Sequence, residues 1–163
     1  MNIELPRQQL VRRQLILSLL LSSLWTPATR LRAEQSFTVD VWKSPTCGCC
    51  KDWVAHLKDN GFRVTTHDTG NSAMREKLGM PRQYGSCHTA RVGGYVIEGH
   101  VPAADVIRLL KDRPRAVGLA VPGMPVGSPG MDGPAYDGQQ DAYDVVLVKQ
   151  DNTASIFQAY PGK

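Results

Sequence analysis

Apolar and polar residues alternate over residues 36–42 (SFTVDVW), with Phe37, Val39 and Val41 on one side and Thr38 and Asp40 on the other. A period of two predicts a strand. Pro45 and Gly48 then break the chain into a turn over 43–48. Over 49–60 the period changes. Cys50, Trp53, Val54 and Leu57 recur at steps of three and four, which predicts a helix stopped by Asn60 and Gly61. Residues 62–67 (FRVTTH) predict a second strand. Strand, helix and strand within about thirty residues form a βαβ unit, whose parallel strands need the helical crossover.

A short helix is expected over 71–78, started by Asn71 or Ser72 and stopped by Gly79 and Pro81. Residues 86–92 and 95–98 predict two further strands, made antiparallel by the tight Gly93-Gly94 turn. Pro102 opens a helix through Leu110, with Val106, Ile107, Leu109 and Leu110 as its apolar residues. The order β-α-β, helix, β-β-α is that of the α/β thioredoxin-like fold, and element order alone carries no function. Residues 118–140 differ, with six Gly, four Pro and no period. They predict a long loop, a kind of segment that is often functional. Residues 143–149 and 153–160 predict an appended C-terminal β-hairpin across Asp151-Asn152. No internal repeat is present.

The N-terminus has a different pattern. Arg7, Arg12 and Arg13 precede an apolar stretch at 15–24 (LILSLLLSSL), and Ala33 and Ala28 offer small residues for cleavage. The stretch is short of the about 20 residues that span a membrane. Residues 1–33 therefore read as a secretory signal peptide, leaving one domain at 34–163. Arg12-Arg13 partly matches a twin-arginine signal, but the flanking residues favour the general secretory route.

Charge supports this division. The first 33 residues hold five Arg and one Glu of the chain's 19 basic and 15 acidic residues, so 34–163 carry 14 of each sign. The basic balance thus belongs to export and does not mark a nucleic-acid partner. An exported chain reaches an oxidising periplasm or cell exterior, where free dithiols do not persist unless paired, ligated or kept reduced.

That compartment gives weight to the four cysteines. Cys47, Cys49 and Cys50 lie in four residues, and Cys87 follows far behind. Two structural disulfides are the plain reading, but the neighbours Cys49 and Cys50 cannot readily pair with each other. Clustered sulfur ligands suit Cu(I), Zn(II) or an iron–sulfur centre. Cys47 to Cys50 also has the C-x-x-C spacing of redox dithiols. A helix N-terminus favours the thiolate, the form that binds metal and attacks disulfides. The predicted topology aims Cys87 at this loop, in the place where thioredoxin-like folds usually have a cis-proline. A shared site brings the Cys87 sulfur within roughly 4 Å of a loop sulfur, one metal-bridged distance. Structural zinc usually draws C-x-x-C pairs from two loops. Adjacent thiolates bridge ions more easily than they chelate one, which favours polynuclear Cu(I), as does their softness.

Met124 and Met131 in the Gly/Pro segment offer thioethers to copper or serve as flexible packing. His88 adjoins Cys87, but neighbours on a strand face opposite sides, so both ligate only if the strand is irregular there. His56 reads as solvated, and His67 and His100, at element ends, as surface residues. Trp42 and Trp53 read as core.

Lys43-Ser44-Pro45-Thr46-Cys47-Gly48-Cys49-Cys50-Lys51, Ser86-Cys87-His88-Thr89-Ala90, the stretch GYVIEGHVPA at 94–103 and residues 118–131 closely resemble the bacterial CopG-type copper-resistance proteins. That family was long carried as a domain of unknown function. The resemblance spans about residues 37–160. It implies a periplasmic thioredoxin-like protein that binds copper through Cys47, Cys49, Cys50 and Cys87, with a redox role in copper tolerance. The metal set expected is these four cysteines with Met124 and His88. The partners expected are copper ions and periplasmic copper-handling proteins. Sequestration or handover of Cu(I) and interconversion of Cu(I) and Cu(II) both stay open, the second making the chain a copper oxidoreductase. A thiol–disulfide oxidoreductase acting on protein substrates is the alternative. Against it stand Cys49 inside the C-x-x-C and a competing thiol at Cys87.

Overall fold

The computed structural model describes residues 36–163. The expected signal peptide at 1–33 lies outside the described residues. The order is β1 (Thr38–Lys43), α1 (Gly48–Asp59), β2 (Arg63–His67), α2 (Ser72–Lys77), β3 (His88–Val92), β4 (Tyr95–Glu98), α3 (Ala103–Asp112), β5 (Gly118–Ala120), β6 (Tyr143–Val148) and β7 (Ala154–Tyr160). Single 3-10 turns occur at Arg82–Tyr84 and Pro134–Tyr136.

The strands form one mixed sheet in the order β2-β1-β3-β4-β5-β6-β7. β1 runs parallel to β2 and antiparallel to β3, and β3 and β4 form the hairpin expected at Gly93-Gly94. From β1 to α3 the chain follows the β-α-β, helix, β-β-α order read from the sequence.

The Gly/Pro segment differs from expectation at its start. Gly118–Ala120 is a strand, parallel to β4 and antiparallel to β6. The C-terminal hairpin is therefore stitched to the main sheet through β5 and continues it. Three residues are too few to show a period. Glycine is also required at the first of them, because a β-carbon at Gly118 would run into the Val96 carbonyl of β4.

The two faces of the sheet have separate cores. On one, Val39, Val41, Ala90, Val92, Ile97 and Leu119 meet Trp53, Val54 and Leu57 of α1 and Val106, Leu109 and Leu110 of α3. Cys50, Trp53, Val54 and Leu57 are the buried residues of α1, as their spacing predicts. Trp53 and Leu57 are fully buried, and each such side chain contributes about 1.5–3 kcal/mol. On the other face Met80 packs against Val96, Ala120 and Val148. In α3, Ile107 is 45% exposed, contrary to expectation. The buried neighbour is Asp105, held by the Tyr160 hydroxyl at 2.7 Å and Arg108 at 3.1 Å. Among the described residues, no helix is long and apolar enough to cross a membrane.

Candidate metal centre

β1 delivers the chain to the start of α1, where a tight turn sets the thiols. The Cys47 N–H donates to the Ser44 carbonyl at 3.2 Å, and Cys47 is the N-cap. The helix begins at Gly48, one residue earlier than its apolar spacing indicates. Cys49 and Cys50 thus lie in the first turn. Cys50 points inward and is fully buried, whereas Cys47 and Cys49 are half-buried. Cys47 and Cys50 are joined in a disulfide, and Cys49 and Cys87 are free thiols.

Cys87 arrives just before β3. Its sulfur lies 3.9 Å from Cys49 Sγ, and Cys49 Sγ lies 3.6 Å from Cys47 Sγ. All four sulfurs fall within 4.8 Å of one another. No peptide bond among the described residues is cis. The segment that enters β3 is an ordinary trans one that presents a thiol.

Two imidazoles complete the setting. Cys87 Sγ is 3.1 Å from His100 Nε2 and 3.3 Å from His88 Nδ1. Cys87 and His88 converge although they are neighbours, because β3 begins only at His88 and strand alternation does not reach Cys87. His100 Nδ1 donates to the Pro129 carbonyl at 2.9 Å. That bond leaves the Nε2 lone pair facing the Cys87 thiol. Both imidazoles are fully buried. Burial lowers the pKa of His100 and holds that of His88 well below its usual value. Both are therefore neutral bases. Burial, reinforced by the nearby Cys49, pushes Cys87 up to about 12, which favours its thiol over its thiolate. His88 Nε2 is buried without a hydrogen-bond partner. The Trp53 ring lies 4.2 Å from the His88 ring, and its N–H is anchored on the Val101 carbonyl at 2.9 Å.

His100 was expected at the surface. The hairpin register holds the missing signal. Val92 pairs with Tyr95 and Thr89 with Glu98, and counting outward in the same register brings Cys87 opposite His100. His56 also differs from the solvated residue expected. It is half-buried, and its Nε2 accepts the Ala103 N–H that opens α3, at 3.0 Å. His67 is a surface residue, stacked on Trp42 and paired with Asp40 at 3.1 Å. Trp42 is only partly buried, whereas Trp53 is core.

The loop after β5 walls the site with main chain. The Ser86 hydroxyl donates to the Gly123 carbonyl, and Pro129 holds His100. Gly130 has φ +86°, and a β-carbon there would stand 2.6 Å from the Cys49 carbonyl oxygen and 2.8 Å from Trp53 N. Only glycine permits that approach. Met131 is buried and accepts the Tyr136 hydroxyl at 3.3 Å, a packing role. Met124 is 52% exposed, in the residue after Gly123.

The His56 contact gives a pH dependence with a definite sign. Burial lowers the pKa of His56 from 6.5, against the opposing pull of Asp132 and Asp59. The unfolded chain then takes up a proton that the folded chain refuses. Stability is full above pH 6.5 and falls as pH drops through 6.5 toward the lower folded value. Thermal melts between about pH 7.5 and 5 should show this loss, and His56→Gln should make it shallower. An equal slope in that variant assigns the loss to other groups, such as His88 and His100.

Comparison with known proteins gives a consistent result. The family described as "Protein of unknown function, DUF411" matches residues 84–131, which include Cys87, His88 and His100. Among curated proteins none matches. Two solved structures, named "Copper resistance protein copG- Form 2" and "Copper resistance protein copG- Form 1", are 48% and 49% identical to this chain. Each match has a TM-score of 0.72 and covers 78% of this chain and 100% of the solved one. The chain belongs to the CopG family of copper resistance proteins.

Proposed function

We propose that this chain is an exported, periplasmic protein of copper homeostasis, which binds Cu(I) through Cys47, Cys49, Cys50 and Cys87 once its disulfide is reduced. The observation that carries the reading is the meeting of four sulfurs from two separate segments within 4.8 Å. The donor set fits the ion. Thiolates are soft and select Cu(I), and imidazole also suits copper. His100 Nε2 and His88, gathered on the Cys87 sulfur within the same reach, join the ligand set. Met124, exposed on the loop after β5, would add a supplementary thioether. Adjacent thiolates bridge ions, so the cluster holds more than one copper. A copper-related role also accords with the names of the two relatives.

The Cys47–Cys50 disulfide favours a second, redox use of the same site. Closing a dithiolate to a disulfide releases two electrons, the number that converts two Cu(II) substrates to two Cu(I). The thiol–disulfide oxidoreductase remains the competing reading. It shares the disulfide but has no use for a free thiol at Cys49 or at Cys87. Partners are copper ions and copper-handling proteins of the same compartment, and nucleic acid is not among them.

Anaerobic titration of the reduced protein with Cu(I), followed by metal analysis, tests the proposal. More than one tightly held copper per chain is expected, with most of that capacity lost when the Cys47–Cys50 disulfide is reformed. Failure to retain Cu(I) in the reduced state overturns the copper reading.

A further inference from the structure

The segment that brings Cys87 to the cluster stands outside the sheet ladder. β1 pairs with β3 only as far as His88, and β4 pairs with it only as far as Thr89. Backbone groups beyond a ladder need other partners. Here they are polar and charged side chains from the opposite face of the sheet. The Ser86 N–H donates to Glu98 Oε1 at 2.7 Å. The Ser86 carbonyl accepts from Arg75 Nη2 at 2.7 Å and from Asn71 Nδ2 at 3.1 Å. Arg75 Nε donates to the same Glu98 oxygen at 2.8 Å, and the Thr89 hydroxyl donates to Glu98 Oε2 at 2.6 Å. One guanidinium and one carboxylate thus grip both backbone groups of the residue before Cys87.

The grip is deeply set. Glu98 is fully buried, and the Arg75 side chain is 13% exposed. Glu98 follows Ile97, whose side chain packs toward α1, so the carboxylate lies on the other face. Gly99 leaves room for the segment. It has φ +70°, and a β-carbon there would stand 2.6 Å from both Ser86 Cβ and Oγ. A buried ion pair is a poor device for stability, because desolvation of both charges offsets their attraction. Its geometry has another result. The two ends of the Arg75 fork hold the carboxylate and the Ser86 carbonyl together, which a single ammonium group cannot reproduce.

We propose that Arg75 and Glu98 are positioning residues that fix the Ser86–Cys87 peptide, and with it the Cys87 sulfur, against Cys49. The consequence for copper rests on the proposed function, whereas the consequence for the two thiols does not. The test therefore has two readouts, made on the whole protein with Arg75→Lys and Glu98→Gln. In the disulfide form only Cys49 and Cys87 are free, and their bridging by diamide, mapped by mass spectrometry, reports the approach of the sulfurs. It should slow by about 10-fold or more in each variant, since misplacement of about 1 Å can cost 100-fold in a proximity-controlled step. Cu(I) affinity of the reduced protein should fall by about 10–100-fold, the usual effect of removing support behind a ligand.

Arg75→Lys keeps the charge and decides the matter if Glu98→Gln fails to fold. Melting curves accompany both variants, so that loss of position is read only where the fold persists at the assay temperature. Wild-type bridging rates in a folded Arg75→Lys protein overturn the inference. If the wild-type protein takes no Cu(I) while bridging still slows in the variants, the copper reading fails and the positioning role stands.

Discussion

Replacing Cys87 by serine is expected to lower Cu(I) affinity by more than about 100-fold, since loss of a mere supporting partner already costs about 10–100-fold. Cys87 is the one sulfur supplied from outside the α1 turn, and it is also the atom on which both imidazoles converge, at 3.1 and 3.3 Å. Its removal therefore separates the three loop sulfurs from the two nitrogens. The fold should survive. Cys87 is half-buried and outside the apolar core, and a serine hydroxyl can still donate to His100 Nε2. Stability should change by no more than about 1 kcal/mol, the range of most single substitutions away from a core. Competition with a chromogenic Cu(I) chelator measures the affinity, and a thermal melt checks the fold. A folded Cys87→Ser protein with wild-type affinity removes Cys87 from the ligand set.

Cys49→Ser should separate copper binding from thiol exchange more sharply. Cys49 has no part in the Cys47–Cys50 disulfide, so a dithiol exchange enzyme keeps its working pair. Its sulfur nevertheless lies between the two segments, 3.6 Å from Cys47 Sγ and 3.9 Å from Cys87 Sγ. A bridged cluster loses its central link when that sulfur becomes oxygen, which is a hard donor and a poor match for Cu(I). The variant should bind fewer copper ions per chain and fail to restore copper tolerance to a host that lacks the protein. Reduction of a disulfide substrate, if the wild type performs it, should be little affected. Full Cu(I) stoichiometry in Cys49→Ser, together with loss of disulfide reductase activity in Cys47→Ser, replaces the copper reading with the oxidoreductase.

Periodicity made the first half of the domain legible. The alternation around Val39 and Val41 and the steps from Cys50 to Leu57 each bury one face, so local pattern and tertiary packing agree. The Gly-Gly turn fixed the hairpin. β5 was hidden because three residues containing a glycine have no period, and the need for that glycine arises from the Val96 backbone, far away in the chain. The cysteine loop and the approach of Cys87 followed from spacing and topology. His100 did not, because an isolated histidine after a strand resembles a surface residue until register is counted across the hairpin. Arg75 and Glu98 were invisible for a similar reason. An Arg on a short helix and a Glu at a strand end look solvent-facing, and only the closed fold turns Glu98 into a fully buried carboxylate.

The loop after β5 meets the site through the carbonyls of Gly123 and Pro129 and the bare Cα of Gly130. What it contributes is the path of its backbone, and its outward side chains, such as those of Asp137 and Gln139, are exposed. Exchange of those side chains leaves the wall where it is. Insertion or deletion of a single residue between Gly123 and Gly130 moves at least one of its fixed points. The length of this stretch and its glycine at Gly130 are therefore what the thiols detect, and evolutionary drift can rewrite the exposed residues after Gly133, such as Asp137 and Gln139, without the site registering the change.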